Sequence, residues 1–195
     1  MADLATASVR FGPERGLTGL SALGPVLRRT RLSHPYSQED RRVPLNRDFI
    51  GRSYESSPPF EIGRELIRHF AAAIGDFNPI SHDLDAARAA GHPDLVAPPT
   101  FLTTLTFRRP SGPVGDPGLG LDYSRVVHGE QRFELHRPVH AGDTVVATST
   151  VAEIRDVGRN EMMRVVSEIT TTDGERIATA TNTMISRGTA AKENA

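Results

Sequence analysis

The chain has 195 residues, 37% hydrophobic and 24% charged, a size and balance suited to one globular domain with an additional arm. A net charge of -1 argues against a nucleic-acid surface or an electrostatically held membrane protein, and no apolar run approaches the length that spans a bilayer. The absence of cysteine excludes disulfides and thiolate metal ligands and fits a cytoplasmic, reducing compartment; only Lys192 among the 23 basic residues is lysine, an arginine bias expected of GC-rich codons.

Residues 1–47 read as an arm. Apolar residues there are scattered, prolines and glycines interrupt them, and Arg28-Arg29-Thr30-Arg31 and Arg41-Arg42 add charge without periodicity, the composition of a disordered segment. A mitochondrial-type presequence or basic tether is one functional reading. An overlong gene start, with translation beginning near Val43, is the blander one. No apolar signal-peptide core with a small-residue cleavage site is present.

From Glu61 the pattern becomes regular. Ile62, Leu66, Phe70, Ala73 and Ile74 recur at three and four, with Arg64, Glu65 and Arg68 on the other face, which predicts an amphipathic helix ended by Gly75. A turn at Asn78-Pro79 precedes a short helix over Leu84 to Ala90, capped by Ser81 or Asp83 and stopped by Gly91. Pro99 fits the first turn of a third, largely apolar helix carrying Phe101, Leu102, Leu105 and Phe107. Residues 108–124, rich in Pro and Gly, form a long loop or flap.

The remainder is strand. Val127, Gln131, Phe133 and Leu135 alternate with His128, Glu130, Arg132, Glu134 and His136, an apolar face against a polar one. Ala141-Gly142-Asp143 turns into a strand over Thr144–Ile154. Strands over Met162–Thr171 and Arg176–Ile185 are joined through Thr172-Asp173-Gly174-Glu175, a hairpin signal. Helices followed by an antiparallel meander predict an α+β domain over residues 48–188, with a flexible tail at 189–195.

Within this frame, Gly75-Asp76-Phe77-Asn78-Pro79-Ile80-Ser81-His82-Asp83 approaches the signature Gly-Asp-x-Asn-Pro-φ-His-x-Asp, φ being apolar. Further ordered segments are Phe49-Ile50-Gly51-Arg52, Gly63-Arg64-Glu65, Gly91-His92-Pro93-Asp94-Leu95-Val96-Ala97-Pro98-Pro99-Thr100-Phe101 and Arg137-Pro138-Val139-x-Ala141-Gly142-Asp143. Together they resemble the MaoC-like N-terminal dehydratase family, and most nearly its actinobacterial group of non-catalytic subunits of (3R)-hydroxyacyl-ACP dehydratase heterodimers. The resemblance implies a hot-dog fold, in which an antiparallel sheet wraps a central helix, here Pro99 to about Arg108. It also implies pairing of two such units around an acyl-thioester tunnel, and reversible addition of water to a trans-2-enoyl thioester. In the family an Asp and a His hold that water, and a backbone N–H at the start of the central helix polarises the thioester carbonyl.

Carried over residue by residue, the catalytic pair falls on Asp76 and His82, with a slip. The family's histidine position holds Ser81, and His82 comes one residue late. A one-residue shift turns a side chain by about 100° on a helix or to the opposite face of an extended segment. Ser81 can donate or accept a hydrogen bond but cannot hold a proton at neutral pH, as a general base must. His82 is either swung inward by a loop adjustment or solvated. Asp76 either faces a cleft or bonds the Asn-Pro turn. The His-Gly pair of catalytic relatives falls on Pro98 and Pro99, which have no N–H, and losing an oxyanion donor costs about 10²–10³ in rate. Thr100 is the remaining donor. Asn78, Ser81, Ala97, Pro98, Pro99 and Thr100 are therefore the substrate-binding candidates.

His128 has either a supporting role at a site or interface or the place of a solvated strand residue. His69, His136 and His140 are weaker, and no pair has the helical spacing of a metal site with a carboxylate, so neither metal nor cofactor is expected. Leu102, Leu105 and Phe107 either line an acyl tunnel or are plain core. The expected function is that of a dehydratase subunit that binds an acyl-CoA or acyl-ACP thioester and stabilises a MaoC-like partner carrying the working dyad. The alternatives are a homodimeric hydratase using Asp76 and His82, and a non-enzymatic acyl-binding protein; nucleic acid and membrane are not expected partners.

Overall fold

The computed structural model describes the backbone of residues 6–10 and residues 43–55, 57–106 and 112–190. Seven strands form one antiparallel sheet: β1 (Thr6–Arg10), β2 (Ser53–Tyr54), β3 (Phe60–Glu61), β4 (Val126–Leu135), β5 (Thr144–Val157), β6 (Asn160–Thr171) and β7 (Arg176–Ser186). Their spatial order is β1-β4-β7-β6-β5-β2, with β3 also on β5. Helices α1 (Arg64–Ala73), α2 (Leu84–Ala89) and α3 (Thr103–Thr106) precede β4. The hairpin between β6 and β7 forms at the Asp-Gly signal: Gly174 takes φ 95° and the Thr171 N–H donates to the Glu175 carbonyl at 2.8 Å.

Phe101, Leu102 and Leu105 are buried against Phe133, Val145, Ala147, Ile169, Ala178 and Ala180 of the sheet, which gives the expected wrap of sheet around helix. Fully burying a side chain such as Phe101 contributes about 1.5–3 kcal/mol. Phe70 of α1 meets Phe101 edge to face, ring centroids 5.4 Å apart. A second apolar cluster of Leu45, Phe49, Leu119, Val151, Ile154, Met163, Val165 and Met184 fills the other end of the same sheet face.

Four sequence expectations are corrected. The central segment is α-helical only over Thr103–Thr106. From Pro98 onward its bonds run three residues back, as in Phe101 N–H to Pro98 O (2.9 Å) and Thr103 N–H to Thr100 O (3.0 Å), because two prolines and several threonines disfavour a regular start. Phe107 and Arg108 lie outside the described residues. In α1 the buried stripe is Ile67 and Ala71, while Leu66 and Ile74 are 45% and 51% exposed; i, i+3, i+4 spacing also fits this neighbouring stripe. Thr6–Arg10, within the segment read as an arm, is a strand on β4, whose outer backbone groups offer a ladder to any extended segment; residues 1–5 and 11–42 lie outside the described residues.

The fourth correction concerns His128. The pairing of β4 with β7 shifts register between His128 and Glu130, a bulge at Gly129. One extra residue reverses the alternation. His128 therefore shares the inner face with Met184, and Val127, expected inside, is 41% exposed.

Candidate functional site

The predicted catalytic segment begins where α1 ends. Gly75 adopts φ 73°, its N–H donates to Ala72 O, and the Asp76 N–H donates to Ala71 O at 2.9 Å, a Schellman closure. This fixes Asp76 at the mouth of a tight turn. One oxygen of its carboxylate accepts the Asn78 N–H at 2.9 Å, and the Asn78 side chain in turn accepts the Ile80 N–H at 3.3 Å, capping a 3₁₀ turn over Pro79–Ser81. Both polar side chains of the Asp-x-Asn motif thus brace the turn.

His82 closes that turn through its backbone and then reaches back. Its Nε2–H donates to the Asp76 carbonyl oxygen at 2.7 Å, and its own carbonyl accepts the Arg68 guanidinium at 2.9 Å. A carbonyl can only accept, so Nε2 carries the proton in this arrangement. The structure brings His82 to Asp76, but to the main chain rather than the carboxylate. His82 is half-buried, neither turned fully inward nor free in solvent, and α2 starts after it, capped by Asp83 (Ala86 N–H to Oδ1, 2.8 Å).

Ser81, in the family's histidine position, is only 2% exposed and its Oγ donates to the Val96 carbonyl at 2.7 Å. The Val96 N–H returns a bond to Ile80 O at 3.0 Å. This lacing ties the Asp76 turn to the strand-like segment ahead of α3, where Ala97 N–H donates to Val139 O at 2.8 Å. Ala97 and Pro98 are buried, Pro99 is exposed and Thr100 is half-buried. After Ala97 the next backbone N–H is that of Thr100, so a chain passing Pro98-Pro99 offers nothing to an oxyanion there. Leu102 and Leu105 belong to the apolar cluster under the sheet.

Charges gather beside this lacing. Arg137 binds Asp143 with two hydrogen bonds, 2.8 and 2.9 Å, and Glu175 at 3.0 and 3.1 Å. Burial draws the Asp143 carboxyl upward, but Arg137 and the His140 N–H outweigh it and hold the group below the usual carboxylate range. Arg64 forks onto Asp94, whose pKa falls to about 2, chiefly through that hydrogen bond. Between these pairs, His92 Nδ1 and His140 Nε2 lie 3.2 Å apart, and burial lowers the pKa of His140. Sequence reasoning missed this histidine pair, since 48 residues separate the partners and only the fold joins them. It also misplaced His128; the isolated Gly129 within an alternating strand was the signal for a bulge.

Among the described residues no three His, Asp or Glu side chains converge as metal ligands would, and no helix is long and apolar enough to cross a membrane.

Comparison with known proteins adds the family. Residues 48–180 match the profile of the FAS1-like, dehydratase domain region. A UPF0336 protein of Parafrankia sp. (strain EAN1pec) is 61% identical over 148 residues, 76% of this chain and 98% of that protein. The C-terminally truncated HadBC (3R-hydroxyacyl-ACP dehydratase) complex of Mycobacterium tuberculosis aligns with a TM-score of 0.60 and 29% identity, over 71% of this chain and 97% of the other. The ChsH1–ChsH2 complex of the same organism aligns at 0.57 and 26%, over 71% and 87%.

Proposed function

This chain belongs to the FAS1-like, MaoC-like dehydratase family, and on that premise we propose that it is the non-catalytic hot-dog subunit of a (3R)-3-hydroxyacyl-thioester dehydratase or enoyl hydratase. It shapes the acyl tunnel and stabilises a MaoC-like partner that carries the working Asp and His. The observation that carries this reading is the use already made of each catalytic position. Ser81 is buried and spent on Val96, the Asp76 carboxylate holds the Asn78 N–H, and His82 donates to a carbonyl. A serine hydroxyl cannot act as the base, and with His82 Nε2 and one Asp76 oxygen both committed to the main chain the pair does not meet side chain to side chain around a water. Pro98-Pro99 removes the second element of the chemistry independently.

A partner also explains the surface beside the turn. Phe77 is 80% exposed, with Ile74 and Leu66 half-exposed close by in sequence on α1 and its turn. An apolar group of this kind beside the degenerate dyad suits a protein interface. The two heteromeric complexes among the structural relatives support the same architecture.

One observation favours the rival homodimeric hydratase: the His82 ring does lie against Asp76, bonded to its carbonyl. Hydration of a trans-2-enoyl-CoA separates the two. The purified chain alone should turn over no substrate, and co-expression with a MaoC-like protein of intact Asp–His spacing encoded beside it should give an active complex. Robust turnover by the chain alone would establish the homodimer instead.

A further inference from the structure

The two edges of the sheet are closed in different ways. On the β5 side the domain covers itself: β3 pairs with Thr144 and Val145, the Ser57 N–H donates to Ala147 O, β2 pairs with Ser149 and Thr150, and the Gly51 N–H donates to Val151 O. On the other side the strand against β4 is Thr6–Arg10. That segment lies outside the family match at residues 48–180, so this cover is not part of the domain itself. Of the two edges, the one at β4 is therefore the one a second chain can open.

β1 fits that edge in extent, phase and charge order. Its register runs from Thr6 opposite Glu134 to Arg10 opposite Glu130, and β4 loses its regular ladder at the next position, the bulge at Gly129. The cover thus ends where the regular edge ends. Ala7 and Val9 come opposite Phe133 and Gln131, the buried positions of β4, while Thr6, Ser8 and Arg10 come opposite Glu134, Arg132 and Glu130 of the outer face. A slip of one residue would reverse this match of apolar with buried and polar with outer. The register also sets an arginine opposite a glutamate, a cross-strand order that favours pairing.

Five residues on an edge gain a short ladder and give up the backbone freedom of every residue they order, so the two terms nearly offset. The tether tips the balance, since a strand on the same chain meets its edge at an effective concentration on the order of millimolar. Such a cover shields an open edge from chance pairing and still yields to a strand that brings a larger interface with it.

We propose that β1 is an intramolecular cover of the β4 edge, which a strand of the second subunit must displace before it adds to Glu130–Glu134. The inference rests on the reading above that this chain pairs with a MaoC-like subunit. It adds the edge at which they pair and the segment that holds this edge in the free chain. The β4 backbone groups that β1 bonds are the ones a partner strand needs, so the two occupancies exclude each other.

Ala7→Pro combined with Ser8→Pro tests this in the full chain. Successive N–H groups of a strand point to opposite sides, so one of these two donates to β4 whichever way the ladder is phased, and proline removes it. Hydrogen exchange on the free wild-type chain should show protected outer amides between Glu130 and Glu134. The variant should lose that protection, while the amides of β6 stay as slow as before and report an intact fold. Affinity for the MaoC-like protein encoded beside this chain should rise by the same factor, because both quantities follow the fraction of chains whose edge is open. A cover closed about nine-tenths of the time gives about tenfold in each. Arg10→Glu should move both in the same direction by a smaller factor, and adding Glu130→Arg should restore the protection. Wild-type amides at 130–134 that exchange as fast as those of the proline variant overturn the cover and leave the two-subunit reading standing. Protection lost with no gain in affinity overturns the exclusion, since the partner then binds away from β4. No binding by wild type or variant overturns the two-subunit reading, and this use of the edge with it.

Discussion

His82 meets Asp76 through the main chain: its Nε2–H donates to the Asp76 carbonyl across 2.7 Å, while the Asp76 carboxylate holds the Asn78 N–H. The two residues are neighbours, as in a working dyad, yet they meet through His82 Nε2 and a main-chain carbonyl rather than through the carboxylate.

Ser81 is predicted to matter for stability. In Ser81→Ala the half-buried Val96 carbonyl loses its donor, and the lacing between the Asp76 turn and the segment before α3 loosens. Denaturant unfolding should show a loss of about 1 kcal/mol, the net worth of one hydrogen bond. A wild-type midpoint in this variant would mean that the bond is dispensable.

Arg137 is the clasp of the β4–β5 corner. Removing it in Arg137→Ala strips Asp143 of two charge-assisted bonds and should cost about 2 kcal/mol at neutral pH, with the exposed Glu175 adding little. Because the folded Asp143 pKa lies below its free value, the difference from wild type is full above about pH 4. It should shrink as pH falls through the depressed value. A difference that grows on acidification would contradict the assignment.

Two histidines give the fold an acid sensitivity of the opposite origin. Burial lowers His140, Asp143 opposes this, His92 and Arg137 add to it, and Asp94 opposes it; burial also lowers His128, against Asn182. The folded state therefore favours neutral rings. Their contribution is complete above about pH 6.5 and is lost as pH falls through the lower folded values, so Tm should decline from pH 7 to pH 5. His140→Gln should flatten that decline; a steeper one would count against it.

Phe77 should serve association rather than folding. Since it is 80% exposed, Phe77→Ser should leave Tm nearly unchanged. Capture of the catalytic partner in co-purification should weaken at least about tenfold if Phe77 is an anchor of the interface. Undiminished capture would place the partner elsewhere.

Much of the frame was legible in the residues because it rests on local chemistry. The Gly75 helix stop and the Asp173-Gly174 hairpin each follow from a backbone preference of a single residue and formed as read, and of the two caps read for α2, Ser81 or Asp83, the structure takes Asp83. The exact face of α1 was not legible, because Leu66, Ile67, Phe70, Ala71 and Ile74 support two adjacent stripes and only packing chooses. Nor was the inward turn of His128: alternation is a period-two argument, and a single bulged glycine reverses it. At the candidate site, Pro98-Pro99 declared the missing N–H groups outright. What Ser81 and His82 bond to depended on Val96 and on the carbonyl of Asp76, a backbone atom that no side-chain pattern announces.

The central claim is that this chain supplies the silent half of a dehydratase. It is tested most directly by the hydration rate of a trans-2-enoyl-CoA in the assembled complex, with Asp76→Asn and His82→Ala combined in this chain. Asparagine can still accept the Asn78 N–H, so the turn is kept. The account predicts a rate within about twofold of wild type, whereas a loss of about a hundredfold or more, typical of removing an acid–base pair, would contradict it.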